Sequence, residues 1–198
     1  MLETVHLSSI LVKKLVEIID VRINGRGGQG AVTASRLLGE AAIIEGQYVH
    51  AFPSFGPERA GAPVTSFARI CAEQFTEKTE VYEPHIVVVI DPTLLEAIPV
   101  AEGLRDGGTI VVNFEGMKES LMKYFEGVHA NIYKVAGSKI ALEEIGRNVP
   151  NLVMLGALLR VTGLVKLESL LKVTTDRFKG VLGEKNVAAI KRAYEEVE

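Results

Sequence analysis

The residues best suited to chemistry are Gly25, Arg26, Gly27, Gly28, Gln29 and Gly30, which fit the spacing Gly-x-Gly-x-x-Gly between a β-rich run and a helical one. Glycine lets a backbone turn tightly and bring its N–H groups against a phosphate. The helix that follows directs its positive N-terminal end at the same place. The expected ligand is therefore a phosphate or pyrophosphate, with Arg26 supplying a guanidinium and Thr33 a hydroxyl near the helix start. The plainer alternative is a tight strand-to-helix turn that binds nothing.

A nicotinamide dinucleotide site places an acid at the end of the second strand to hold the ribose. Here that strand reads Tyr48-Val49-His50-Ala51-Phe52 and carries none, and Glu45 falls too early, at the helix end. Nicotinamide dinucleotide binding of the usual kind is thus disfavoured. The stretch from Phe52 to Pro63 is rich in proline and glycine, predicts an ordered loop, and carries Glu58 and Arg59. Arg59 is the natural second phosphate contact, although read alone the two charges make a solvated surface pair. Asn113, just past a strand, is either a ligand contact or the start of a turn. Asp91 before Pro92 reads as a helix cap.

These residues need a scaffold, and the pattern supplies one. Strands are predicted over residues 18–23, 47–52, 64–70, 86–90, 109–112 and 131–135, and helices over 31–45, 92–104, 139–147, 151–161, 167–178 and 184–197. The near-continuous apolar run from Ile86 suits a strand buried on both faces. The expected fold is α/β: one Rossmann-like layered domain over residues 18–198, with a mostly parallel sheet, an opening βαβ unit and a helical C-terminal third. Residues 1–17 read as a separate helical extension.

Composition narrows the function. A formal charge of −3 argues against a nucleic-acid surface. Cys71 is the only cysteine, so the chain can form neither an internal disulfide nor a four-thiolate iron–sulfur site. The four histidines lie far apart and predict no metal. The start has no signal-peptide character, no apolar run approaches the roughly 18 residues of a membrane span, and a cytoplasmic protein is expected.

Together, the Gly25 to Gly30 loop and Phe52-Pro53-Ser54-Phe55-Gly56-Pro57-Glu58-Arg59-Ala60-Gly61-Ala62-Pro63 closely resemble the gamma subunit of pyruvate-type 2-oxoacid:ferredoxin oxidoreductases. The likeness continues through residues 86–91, Val111-Val112-Asn113 and residues 150–163, covering essentially everything after the first 17. It implies alpha, beta and delta-type partner subunits, thiamine diphosphate and iron–sulfur clusters held by partners, and ferredoxin reached through the complex. It also implies that this chain helps to bind coenzyme A while contributing no catalytic residue, and that alone it is inactive. By position in the motifs, Gly25, Arg26, Gly27, Gly28, Gln29, Gly30, Thr33, Arg59 and Asn113 are the candidate contacts. Coenzyme A has a pyrophosphate and a 3′-phosphate but no free ribose 3′-OH, so the missing acid is consistent with it. The loop looks more like pyruvate enzymes than those for 2-oxoglutarate, 2-oxoisovalerate or indolepyruvate. Two readings stand beside it: an independent nucleotide-binding Rossmann-like oxidoreductase, and a scaffold whose glycine loop is only a turn.

Overall fold

The computed structural model describes residues 17–54, 61–76 and 79–198. The expected N-terminal helix, but for Glu17, and Arg59 lie outside the described residues. Six strands form one sheet: β1 (Ile18–Arg26), β2 (Tyr48–Pro53), β3 (Pro63–Cys71), β4 (Ile86–Val89), β5 (Gly108–Asn113) and β6 (Ala130–Val135). Their order is β2-β3-β1-β4-β5-β6. Only β3 runs against the others, so the sheet is mostly parallel as expected.

Alternation along β1 sends Val21 and Ile23 to one face and Asp20, Arg22 and Asn24 to the other. β4 is buried on both: Ile86 and Val88 join the larger core, Val87 and Val89 the smaller. That two-sided burial is what its apolar run encodes.

The opening unit departs from a simple βαβ. After β1 comes α1 (Ala31–Ile44) and then β2, but β3 lies between β1 and β2 in the sheet. Residues 54–62 are too few for a crossover, so β3 returns antiparallel and takes the place beside β1.

The larger core lies under α1, which buries Ala34, Leu37, Leu38, Ala41 and Ala42 at helical spacing. Beside it α4 (Gly137–Ile145), α5 (Asn151–Thr162), α6 (Leu167–Arg177) and α7 (Val181–Glu196) make the helical C-terminal third. Every residue of α5 from Asn151 to Leu159 is buried, so this apolar helix serves core packing. Among the described residues the other face carries short pieces, α2 (Leu94–Ala97), α3 (Lys118–Met122) and a 3-10 turn at Lys123–Phe125, the last two not expected from sequence.

The helix expected over residues 92–104 shrinks to α2. Ile98 precedes Pro99, whose ring disfavours helical backbone in the residue before it, and Ile98 is extended at φ −144°, ψ 153°. The C-terminus closes one sheet edge: Glu198 exchanges backbone hydrogen bonds of 3.0 and 2.9 Å with Lys134 of β6.

Candidate functional site: the glycine loop and its two flanks

β1 leads into α1 on one face, whereas β4 leads into Leu94 of the smaller core on the other. The sheet's switch point therefore lies between the C-terminal ends of β1 and β4, where open α/β sheets gather ligands. Arg26 and Asp91 meet there. Arg26 Nε lies 3.6 Å from Asp91 Oδ2, and its guanidinium also donates to Thr93 Oγ1 at 2.7 and 3.0 Å and to Gly61 O at 3.1 Å. Gln29 Nε2 donates to the same Asp91 Oδ2 at 2.5 Å, while Thr93 N and Oγ1 donate to Oδ1 at 2.9 and 2.6 Å. Burial alone would push the Asp91 carboxyl up. Hydrogen bonds from Thr93 and Gln29, with the nearby Arg26 charge, outweigh it and hold the group below its ordinary value. Asp91 is therefore not the cap of α2, whose N-cap is Thr93 with no side-chain cap bond; it closes the turn after β4 through Thr93 and clamps the glycine loop to that turn through Gln29.

The loop's own backbone divides in two. Gly27 N donates to Ala62 O at 2.9 Å, Gln29 N to Arg26 O at 3.0 Å, and Arg26 N to Gln29 Oε1 at 2.8 Å. Gly28 and Gly30 have φ of +96° and +81°, and among the described residues their N–H groups have no partner. No side chain caps α1 and no acid sits in its first turn. Among the described residues its N-terminal donors have no other partner, as an anion requires.

On the α1 side of the loop a cavity of about 350 Å³ opens. Its lining includes Gly28, Gly30 and Thr33, the amides of Asn151 and Asn186, and the guanidinium-bearing Arg147 and Arg177. Phe178, Val149 and Leu182 add apolar surface. The starts of α1, α5 and α7 converge here. Neither Arg147 nor Arg177 has an ion pair or hydrogen-bond partner among the described residues, in contrast to Arg192, which is held by Glu143, Glu144 and Glu196.

The expected residues are thus distributed. Gly28, Gly30 and Thr33 face the cavity; Arg26 and Gln29 turn to Asp91; Gly25 and Gly27 shape the turn between. Asn113 is 3 % exposed and fully engaged: Nδ2 donates to Ile90 O at 2.7 Å and Ser138 Oγ at 2.8 Å, and Oδ1 accepts from Ser138 N at 3.0 Å. It holds the start of α4 against the end of β4. Glu45 accepts from Lys166 N at 2.7 Å, away from the loop. Phe52 packs against Phe67, ring centroids 5.3 Å apart.

Sequence reasoning missed Asn151, Asn186, Arg147 and Arg177. An asparagine directly after Pro150 at a helix start was the one available signal; the other three carry none until the helices are packed.

The model of the family described as pyruvate ferredoxin/flavodoxin oxidoreductase matches residues 20–196. The chain is 49% identical over 181 residues to the pyruvate/ketoisovalerate oxidoreductases common subunit gamma of Pyrococcus furiosus, covering 91% of this chain and 98% of that one. It is 45% identical over 181 residues to the pyruvate synthase subunit PorC of Methanothermobacter thermautotrophicus, covering 91% and 97%. Among solved structures, pyruvate oxidoreductase subunit PORC of Thermotoga maritima superposes with a TM-score of 0.82 at 42% identity, over 92% of this chain and 98% of that one. The 2-oxoglutarate:ferredoxin oxidoreductase of Magnetococcus marinus, solved with 2-oxoglutarate, coenzyme A and succinyl-CoA bound, shares the fold at a TM-score of 0.74 and 21% identity, over 90% of this chain and 31% of that one.

Proposed function

The chain belongs to the pyruvate ferredoxin/flavodoxin oxidoreductase family, as a gamma subunit of a 2-oxoacid:ferredoxin oxidoreductase, and from that premise we propose that it binds and orients coenzyme A for acyl-CoA formation. The observation that carries the reading is the pair of N–H groups at Gly28 and Gly30, without a partner among the described residues and set before a 14-residue helix that no side chain among them caps. The neighbour with coenzyme A bound supports it by fold.

In this reading the 2-oxoacid is decarboxylated with thiamine diphosphate in partner subunits, electrons leave through their iron–sulfur clusters to ferredoxin, and the coenzyme A thiol takes the acyl group. This chain makes and breaks no bond. It fixes the distant phosphates of coenzyme A, removing translational and rotational freedom before the thiol attacks. Arg59 adds charge from the loop between β2 and β3. The chain alone is inactive, and its partners are the alpha, beta and delta-type subunits. The choice of 2-oxoacid rests with them: one relative's name describes a gamma subunit common to pyruvate and ketoisovalerate enzymes. Pyruvate is the favoured substrate.

Binding of a nicotinamide dinucleotide is less well supported. On the side of β1 away from β4, the start of β3 lies at the loop end, with Pro63 opposite Arg26 and Val64 opposite Gly25, and among the described residues that side offers no acid to hold a ribose, while Asp91 on the β4 side is taken up by Gln29, Thr93 and Arg26.

The test is pyruvate-dependent ferredoxin reduction by the reconstituted complex as coenzyme A is varied. Arg59→Ala is expected to raise the coenzyme A KM at least tenfold with assembly intact. An unchanged curve would leave this chain as scaffold.

A further inference from the structure

We infer that the chain carries a second ligand site at the opposite end of the sheet from the glycine loop, a cavity that takes a short aliphatic monocarboxylate. Arg105 and His85 hold the carboxylate, and Ile19, Ile86, Val161 and Leu164 receive the tail. The inference goes beyond the coenzyme A reading and does not depend on it.

The cavity, of about 430 Å³, opens where β1, β4 and β5 begin and α5 ends. The run of β1 from Ile19 to Arg26 separates it from the glycine loop by roughly 23 Å, at about 3.3 Å per residue. Its volume falls within the range of small-ligand pockets.

Two donors line it. His85 Nδ1 accepts from Asp20 N at 3.1 Å, so the neutral ring carries its hydrogen on Nε2. That second nitrogen has no partner among the described residues. Arg105 stands near enough that, after burial, its charge is the main cause pushing the imidazole below its ordinary value. Arg105 Nε donates to Glu83 O at 3.3 Å, while its two terminal nitrogens have neither hydrogen bond nor ion pair among the described residues. A guanidinium with that edge open grips a carboxylate with two hydrogen bonds, and the imidazole N–H supplies another.

The surroundings select the anion. α5 ends at Thr162 on the cavity, which brings the negative end of its dipole there, and Asp106 lines the same cavity. Both repel a doubly charged phosphate more strongly than a single carboxylate. The lining from Ile19, Ile86, Val161 and Leu164 takes an alkyl chain out of water and offers a bare inorganic anion nothing. A monocarboxylate with a short aliphatic chain uses both parts.

Binding has a signature at His85. The charged groups around the ring are Arg105, Asp106 with its partner His129, Asp20 of β1, and Glu17 just before that strand. A bound carboxylate offsets the Arg105 charge, so the His85 pKa rises.

The test titrates the full chain with pentanoate and follows the His85 imidazole by nuclear magnetic resonance, its signals assigned by their loss in His85→Gln. The expected result is saturable binding at millimolar pentanoate that raises the His85 pKa, weakens at least tenfold in Arg105→Ala and recovers in part in Arg105→Lys. Arg105 is exposed, so both variants are expected to fold, which circular dichroism checks. Acetate is expected to bind at least tenfold more weakly than pentanoate, while pentanamide, inorganic phosphate and coenzyme A do not compete. No saturable response at His85, a response indifferent to Arg105→Ala, equal binding of acetate or pentanamide, or displacement by phosphate or coenzyme A overturns the inference. None of these outcomes touches the coenzyme A reading, since no residue of the glycine loop lines this cavity.

Discussion

Asn151 Nδ2 donates to Gly30 O across 3.2 Å, joining the first residue of α5 to the residue that caps α1, 121 positions apart in the chain. The contact is tight enough that a Cβ on Gly30 would overlap the Asn151 amide, and Gly30 also holds φ at +81°. The glycine therefore serves the backbone turn and the close approach of α5 at once. Gly30→Ala is expected to destabilise the chain by about 1–3 kcal/mol, and Asn151→Ala, which removes one of two donors to the Gly30 carbonyl and leaves Ala34 N at 2.9 Å, by about 0.5–1.5 kcal/mol. Urea denaturation of the full chain checks both; an unchanged midpoint for Gly30→Ala would contradict the packing described.

The clamp between Arg26, Gln29 and Asp91 predicts a pH signature. The folded Asp91 carboxyl lies below its ordinary 3.8, so its contribution is present above that value and lost as pH falls through the folded one. Asp91→Asn is expected to cost about 1–3 kcal/mol at pH 7, with the gap to the parent chain closing in acid. Denaturation midpoints at pH 7 and below pH 4 measure it. A gap that stays constant in acid would mean the charge on Asp91 is not what the loop uses.

His85 carries the opposite titration. Burial and the neighbouring Arg105 push its imidazole below the ordinary 6.5, against the weaker pull of Asp20 and Glu17, and its Nδ1 accepts from Asp20 N at 3.1 Å. The folded chain keeps this ring neutral while the unfolded chain protonates it, so stability declines as pH drops below 6.5. His85→Gln is expected to flatten that decline in a series of denaturation curves; an unaltered slope would assign it elsewhere.

In the core, Gly156 lets α5 lie against the backbone of α7, where a Cβ would overlap Ile190 O. Gly156→Ala forces the two helices apart and is expected to cost about 1–3 kcal/mol, read as a lowered thermal midpoint. No change would mean the helices have slack at this crossing.

What could be read from the residues, and what could not, follows from the range of the forces involved. β4 and α1 were legible because burial leaves its period in the chain: an unbroken apolar run at Ile86, and Ala34, Leu37, Leu38, Ala41 and Ala42 at helical spacing. The glycine loop was legible because positive φ at Gly28 and Gly30 demands glycine locally. The place of β3 between β1 and β2 was not, since strand pairing is decided across residues 20 to 71 rather than within a segment. The short α2 follows from Ile98-Pro99, a local signal outweighed in the sequence reading by the apolar pattern around it. The cavity was invisible because residues 28 to 186 meet only when three helix starts are packed together.

The most direct test of the account is hydrogen–deuterium exchange on the assembled complex with and without coenzyme A, following the amides of residues 27–33. Gly28 and Gly30 have no hydrogen-bond partner for their N–H groups among the described residues, so bound phosphate should slow their exchange. Slowed exchange in this segment at saturating coenzyme A is the predicted result. Exchange there that is the same with and without coenzyme A, while the complex turns over, would contradict the claim that this chain holds it.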